Sequence, residues 1–182
     1  MKQVKGSAMV HFVKGIRANK SGIYEKYLQK EDWDIIMKPI LPAFWYPYET
    51  YKRCFNALFE VAANKDYEKV MGWAKLYAVL IMTDIYEHTL KKDDPLYHIK
   101  NVPQYIQTFY NFGHTEAKVE EPNRVLLKMS DYDPAFAPLY YFHLGWFEKV
   151  AELCGAKNVK CEFLEKSWET KSNTTSYLIT WA

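Results

Sequence analysis

The sequence has few of the residues that mark a phosphate-binding loop, a metal centre or a disulfide framework. Its 7 glycines are scattered and form neither Gly-x-Gly-x-x-Gly nor a Walker string. The cysteines, Cys54, Cys154 and Cys161, are odd in number and unrelated in spacing, which favours reduced thiols that fill space. No Gly-x-Ser-x-Gly elbow is present, and no cysteine lies in a recognised catalytic context. We therefore predict no catalytic residue and no metal site.

An excess of charge of one sign is also missing. Lys and Arg total 24 against 22 Asp and Glu, which gives a formal net charge of +2, and the two signs are interspersed. This pattern argues against nucleic-acid binding, which needs a basic patch or stripe. The first apolar stretch is too short and too polar for a signal peptide or a membrane span. We predict a cytoplasmic protein with no membrane span.

Two small groups of residues have the spacing of a reactive site. Asp84 and His88 lie four residues apart on one predicted helical face, but a protein metal site needs three or four ligands. We interpret this pair as a hydrogen bond on a helix surface. Asp131 and Asp133 resemble a carboxylate pair, but a turn and a helix cap explain both residues. An enzyme that acts on a small hydrophobic substrate, with an active site built from residues distant in the sequence, stays open as a hypothesis.

Aromatic side chains are abundant. Tyr 15, Phe 10 and Trp 6 together make up 17% of the chain. Such side chains line both protein cores and concave ligand sites. Those of the helical half are predicted to converge where the helices meet the sheet, either as a solid core or as the lining of a pocket.

The first part of the sequence has the three-and-four apolar spacing of helices. Predicted helices cover Ala8 to Ala18, Ile23 to Gln29, Tyr48 to about Asn64, Asp66 to Thr89 and Ile99 to Phe112. Three prolines in the segment Pro39 to Pro47 predict an ordered connection instead of a helix, because proline fixes φ and lacks an amide donor.

The pattern changes at Gly113 from helical spacing to alternation. Two hairpins are predicted, Thr115 to Glu120 with Arg124 to Met129, and Val159 to Phe163 with Tyr177 to Trp181. Between them, a helix is predicted to start at Asp133-Pro134 and to stop at Cys154-Gly155. We predict one α+β domain over residues 1–182. A helical N-terminal part, about 1–112, packs on a four-stranded antiparallel sheet with a C-terminal crossover helix, about 113–182.

Several short motifs, in their order and spacing, resemble uncharacterised bacterial proteins allied to the 4-vinyl reductase domain. That superfamily also includes haem nitric-oxide-binding domains and subunits of the TRAPP vesicle-tethering complex. The motifs are Lys5 to Ser7, Pro42 to Pro47, Tyr110 to Gly113, His143 to Glu148, Cys154 to Lys160 and Tyr177 to Trp181. The resemblance implies a helical subdomain on an antiparallel sheet, a hydrophobic pocket between them in many relatives, and a role in sensing or assembly.

The sequence departs from two branches of this superfamily. Ser167 and Thr175 occupy the positions where the 4-vinyl reductase pattern has paired cysteines. The haem-binding branch needs a proximal histidine together with a Tyr-x-Ser-x-Arg motif that grips the haem propionates, and this string does not occur here. We therefore predict no cofactor, and the missing string argues against haem.

These observations predict a non-catalytic sensory or regulatory domain that binds an apolar or amphipathic small molecule. The predicted ligand-binding residues are Phe44, Trp45, Tyr46, Trp73, Tyr77, Tyr105, Phe109 and Phe112. The alternative is a dimerising scaffold or protein-interaction module without a ligand. The predicted protein partner is a second copy of the chain or a signalling protein.

Overall fold

The computed structural model describes residues 1–82, 91 and 93–182. These residues form two compact units: unit 1 contains residues 1–66 and 107–112, and unit 2 contains residues 67–106 and 113–182. The predicted Asp84 and His88 pair lies outside the described residues, as does the end of the helix predicted from Asp66 to Thr89.

Unit 1 is mainly helical, with one small sheet. Its elements are β1 (Gln3–Lys5), a 3-10 turn (Gly6–Ala8), α1 (Val10–Ala18), α2 (Lys30–Ile36), β2 (Trp45–Pro47) and α3 (Tyr48–Val61). Strands β1 and β2 are antiparallel, with Val4 opposite Tyr46. Glycine is required at position 6, because a Cβ there would lie 2.2 Å from the carbonyl oxygen of Leu41. The chain segments of unit 1 therefore approach closely at this point.

Unit 2 combines helices with a larger sheet. Its helices are α4 (Tyr67–Leu80), α5 (Pro95–Lys100), α6 (Val102–Phe109), α7 (Ala137–Leu153) and α8 (Ser167–Thr170). Its strands are β3 (His114–Glu121), β4 (Arg124–Ser130), β5 (Lys160–Glu165) and β6 (Thr174–Thr180). From residue 107 onward, α6 belongs to unit 1.

The sheet of unit 2 confirms the predicted α+β fold class. Its four strands are antiparallel in the order β3-β4-β6-β5, so α7 crosses from β4 to the far edge of the sheet. Helix α7 packs on β5 and β6, where Phe147 meets Tyr177 edge to face at 5.2 Å. Helix α4 packs along α7. A Cβ at Gly145 would lie 2.5 Å from the Met71 carbonyl oxygen, so glycine permits this close helix contact.

One predicted helix is absent, and the bounds of two others are wrong. Residues 23–27 form consecutive turns instead of a helix, with Glu25 N bonded to Gly22 O and Tyr27 N to Tyr24 O. The segment predicted as one helix from Ile99 to Phe112 contains parts of two helices. The first runs from Pro95 to Lys100 and the second from Val102 to Phe109, with a break at Asn101. Helix α7 begins at Ala137 instead of Asp133, since the Asp133 side chain accepts from Ala135 N in a turn.

Three elements were missed by the sequence analysis: the sheet of β1 and β2, helix α2 and helix α8. Helix α2 begins with a capping box in which Gln29 and Asp32 exchange side-chain and backbone hydrogen bonds. The motif is atypical because glutamine occupies the cap position, where serine or threonine is the usual signal. The β1 and β2 strands have three residues each, which is too short for an alternation to register.

Candidate functional site

Five of the predicted ligand-binding residues lie in unit 1, in different surroundings. Phe44 is 61% exposed, and Trp45 is 38% exposed with Lys5 Nζ over its ring. The Tyr46 hydroxyl accepts a hydrogen bond from Leu41 N. Phe109 is buried, and Phe112 packs against Tyr48 at 4.8 Å. These side chains therefore do not share one environment within unit 1.

The other three predicted residues lie in unit 2, and they too have separate surroundings. Trp73 lines an open groove on the surface of α4. Tyr77 is buried with its ring 5.7 Å from that of Phe142. Tyr105 stacks on the imidazole of His98. A shared pocket for all eight residues stays a prediction. The contact of Tyr105 identifies His98 as a further candidate, which was not among the residues predicted from the sequence.

His98 is a fully buried polar residue of unit 2. Asp94 caps α5 by accepting from Tyr97 N at 2.9 Å, and Pro95 follows at the first helical turn. Helix α5 then packs against α7, β3 and β4. His98 is fully buried, and its ring lies 4.5 Å from the Tyr105 ring with an interplanar angle of 21°. The capping residues thus fix the start of the short helix that carries this imidazole.

The imidazole of His98 is neutral and has two unused nitrogens. Among the described residues, neither Nδ1 nor Nε2 has a hydrogen-bond partner. Burial lowers the pKa of His98 to about 4, because the protein interior disfavours the charged ring. A buried polar group without a partner costs about 1–3 kcal/mol. A neutral imidazole with a free lone pair is the form of histidine that binds metals.

Unit 1 contains a buried polar residue with the opposite character. The carboxylate of Asp32 is fully buried and accepts four hydrogen bonds of 2.6–2.8 Å, two from Arg53, one from Thr50 Oγ1 and one from Gln29 N. Burial alone would raise the pKa of Asp32, but these hydrogen bonds outweigh burial and lower it. Because all its acceptor sites are occupied, Asp32 is a structural centre.

Ser167 and Thr175, which replace the paired cysteines of the 4-vinyl reductase pattern, lie together in the structure. Thr175 Oγ1 is 2.8 Å from Ser167 Oγ, which in turn donates to the Pro134 carbonyl oxygen. Both residues are buried. The pair therefore joins β6, α8 and the segment before α7 by hydrogen bonds.

The three cysteines are free thiols, as predicted. Burial raises the pKa of Cys54 to about 12 and that of Cys154 to about 11, and burial also raises the pKa of Cys161. These thiols are therefore protonated at neutral pH and poorly nucleophilic.

Across residues 1–82, 91 and 93–182, no group of three or more His, Cys, Asp or Glu side chains is placed to hold a metal ion. In the same residues, no helix combines the length and the apolar character needed to cross a membrane.

The fold is that of H-NOX domains. A solved structure described as an oxygen-binding H-NOX domain related to soluble guanylate cyclases superposes with a TM-score of 0.67 at 12% identity, covering 97% of this chain and 94% of that one. The Fe(II) unliganded H-NOX protein from K. algicida gives 0.67 at 12% identity, covering 98% and 96%. An H-NOX structure from work on haem distortion gives 0.68 at 12% identity, covering 97% and 94%.

The chain belongs to the family described as Protein of unknown function (DUF2378), whose model matches residues 81–182. No curated protein matches the chain. The H-NOX part of the predicted resemblance is thus confirmed at the level of the fold. The 4-vinyl reductase and TRAPP parts stay predictions.

The prediction of no cofactor, with its argument against haem, is wrong in the light of these comparisons. Solved domains with the same fold over nearly the whole chain are described by their haem and by Fe(II). The prediction rested on the missing propionate motif and assigned no histidine of this chain as the iron donor. His98 provides a suitable donor, because haem iron needs only an axial side chain from the protein when the porphyrin supplies the other nitrogens.

Proposed function

We propose that this chain is a haem-binding sensory domain, not an enzyme, and that His98 would hold the haem iron through a ring nitrogen. The observation that carries the proposal is the buried, neutral imidazole with two unpaired nitrogens, in a chain with the H-NOX fold. The descriptions of the solved domains concern haem and oxygen binding, which supports the non-enzymatic assignment. This haem ligand replaces the apolar small molecule predicted from the aromatic residues, and a cytoplasmic location stays part of the proposal.

Three features of the chain support His98 as the iron ligand. The cap at Asp94 and the proline after it fix α5, so the ring is held by backbone structure. Stacking on Tyr105 restricts rotation of the imidazole about its own bonds. The pKa of about 4 keeps the ring neutral at physiological pH, so no proton competes with iron. Bound haem would supply a redox-active iron that binds small gaseous ligands.

The propionate end of the haem would depend on groups other than arginine. Arg17 donates to the carbonyl oxygens of Ile36 and Lys38, Arg53 to Asp32, and Arg124 to Glu120. These are all the arginines of the sequence. Haem affinity in this chain therefore rests more heavily on the axial histidine than it would in a domain with a dedicated arginine.

Reconstitution with haemin tests the proposal. We expect the purified chain to bind haem with one-to-one stoichiometry, seen as a Soret band on titration. The His98→Ala variant should bind at least about 100-fold more weakly, because it loses the iron donor. Added imidazole should restore the ferrous spectrum of that variant by replacing the missing side chain.

His114→Ala is the matched control, since His114 is exposed and pairs with Glu116 on the surface. It should bind haem like the parent chain. Equal haem binding by His98→Ala and the parent would contradict the assignment of His98. Failure of the parent chain to bind haem would contradict the proposed function itself.

The second candidate function, docking of a second copy or a signalling partner, is favoured by the outer face of α4. Leu76 is 68% exposed and Leu80 is 53% exposed, beside the half-buried Trp73. A groove of about 630 Å³ runs over this face. Contiguous exposed apolar surface of this kind commonly marks an interaction site.

Light scattering on a size-exclusion column tests the homodimer. If the outer face of α4 forms the interface, Leu76→Glu should convert the dimer to a monomer. Val119→Glu places the same charge at another exposed apolar position, on β3, and should leave the dimer intact. A parent chain that is monomeric at all concentrations would exclude dimerisation through this face.

A further inference from the structure

Unit 1 contains a half-enclosed pocket of about 190 Å³ that is separate from His98 and from the predicted aromatic site. It lies between the end of α1, the turns that follow it and helix α2. Its lining residues are Ile16, Arg17, Asn19, Lys20, Gly22, Tyr24, Glu25, Trp33 and Met37. A cavity of about 150 Å³ is enough to hold a single benzene ring, so this pocket can hold a molecule of similar size.

The backbone around this pocket is fixed by hydrogen bonds. The guanidinium of Arg17 donates through Nε to the Ile36 carbonyl oxygen and through Nη2 to that of Lys38, which ties α1 to the end of α2. Asn19 Oδ1 accepts from both the backbone N–H and the hydroxyl of Ser21. Gly22 has a φ of +75°, a conformation that glycine adopts without strain. The pocket therefore belongs to an ordered part of unit 1.

The lining of the pocket combines apolar and charged residues. Tyr24 is buried and Trp33 is half-buried, and together with Ile16 they form a surface suited to an apolar group. The charged lining residues are Arg17, Lys20 and Glu25. In the described part of the chain, none of the three forms an ion pair with a carboxylate or a cationic side chain.

We infer that this pocket binds a compact zwitterion with an apolar body, such as a small amino acid with a branched aliphatic or single-ring side chain. The ligand carboxylate would face the cations of Lys20 and Arg17, and its ammonium group would face the carboxylate of Glu25. The apolar body would lie against Trp33 and Tyr24. Because both signs of charge line the pocket without ion-pair partners, a molecule that carries both is complementary to it, while a simple anion or cation matches only one sign.

Binding of L-leucine to the full chain tests this inference. We expect saturable binding by isothermal titration calorimetry with a Kd of about 0.1–1 mM, the range open to a ligand of this size. Isocaproate has the same apolar body with only the carboxylate, and isoamylamine has it with only the ammonium group. Each should bind at least about threefold more weakly than L-leucine, because one charged contact is lost.

Two variants locate the binding without disturbing the fold. Lys20→Gln and Glu25→Gln alter exposed side chains that make no hydrogen bond or ion pair in the structure, and each should weaken L-leucine binding about three- to fivefold. Lys30→Gln and Glu31→Gln make the same changes at exposed positions of α2 that do not line the pocket, and they should leave the Kd unchanged. Binding of L-leucine should change the tryptophan fluorescence of the parent chain, because Trp33 lines the pocket, and Trp33→Phe should remove this change.

Three outcomes would overturn the inference. The first is a parent chain that shows no saturable binding of L-leucine or L-phenylalanine up to about 10 mM, well above the expected Kd. The second is isocaproate or isoamylamine binding as tightly as L-leucine. The third is equal affinity of L-leucine for the pocket variants and their controls. None of these results depends on haem, so they are distinct from failure of the proposed function.

Discussion

Among the described residues, each unit contains a fully buried side chain that can carry a charge, Asp32 in unit 1 and His98 in unit 2, and their surroundings are opposite in character. In unit 1, Asp32 receives four hydrogen bonds, two of them from the guanidinium of Arg53. In unit 2, His98 has no hydrogen-bond partner among the described residues. A saturated polar group stabilises its fold, whereas an unsaturated one costs free energy unless a ligand completes it. The difference marks Asp32 as a stabilising centre, and it is the reason why we propose that a ligand binds at His98.

The strongest test of this comparison removes the saturated group. Asp32→Ala should lower the free energy of unfolding by about 3 kcal/mol, because Arg53, Thr50 and the Gln29 amide all lose their acceptor. Urea denaturation measures this change. Asp34→Ala, at an exposed position of the same helix, should change stability by less than about 0.5 kcal/mol. Similar effects for the two variants would show that the Asp32 network is not a stabilising centre.

The second test is the dependence of stability on pH in the haem-free protein. The pKa of His98 is lowered from 6.5 to about 4 by burial, so the unfolded chain binds a proton in this interval that the folded chain excludes. Stability is therefore full above pH 6.5 and is lost as the pH falls toward 4. Between pH 7 and pH 5 this histidine should account for about 2 kcal/mol.

His98→Leu should remove that contribution from the pH dependence. The contribution of His143, whose pKa burial lowers to about 3, should remain in the variant. Thermal denaturation at a series of pH values measures both. An identical pH dependence in the parent and in His98→Leu would mean that His98 is not buried in a neutral state.

The third test compares the directions in which His98→Leu and Asp32→Ala change the free energy of unfolding at pH 7. His98→Leu should raise the stability of the haem-free protein by about 1 kcal/mol, since an apolar side chain replaces a buried polar group without partners. The direction is opposite to that of Asp32→Ala. Urea denaturation at pH 7 measures the change. A loss of stability of similar size would indicate that the imidazole is hydrogen-bonded in solution.

The smallest expected change in stability concerns Gly72, which belongs to neither of the two polar sites. Gly72 lies on the exposed face of α4, and a Cβ there would have nothing within 4 Å. Gly72→Ala should stabilise unit 2 by about 0.5–1 kcal/mol, because alanine restricts the unfolded chain and favours helix. Thermal denaturation measures the shift. Destabilisation would show that another part of the protein covers this face.

The regular elements of the fold were predictable where local signals agree. The β3 and β4 hairpin, with its turn at Pro122-Asn123, and helix α3 after Pro47 lie close to their predicted bounds. Errors arose where a local signal had a second use. Asp133-Pro134 has the sequence of a helix start, but Asp133 lies in a turn and the cap position of α7 is Phe136, three residues later. The continuous apolar spacing from Ile99 concealed the break at Asn101.

The candidate site was harder to predict than the fold. His98 has no sequence signature, because one histidine in an apolar segment looks like any other buried histidine. Its distinguishing property is the absence of a partner, which depends on residues from α6, α7 and the sheet. The aromatic residues chosen as a pocket drew attention by their number, yet Phe44 and Trp45 are substantially exposed. Tyr105, one of the predicted residues, stacks on the imidazole of His98.

The sequence by itself determined the longer helices α1, α3, α4 and α7 and the two hairpins of the larger sheet, because apolar periodicity, capping residues and prolines act over a few neighbouring positions. Only the tertiary structure decided that α7 carries the chain past β6 to the far edge of the sheet, that α4 leaves one apolar face exposed, and that His98 is buried without a partner. Periodicity shows that a face is apolar, but the neighbour that covers it, and the hydrogen bonds it brings, come from residues distant in the chain.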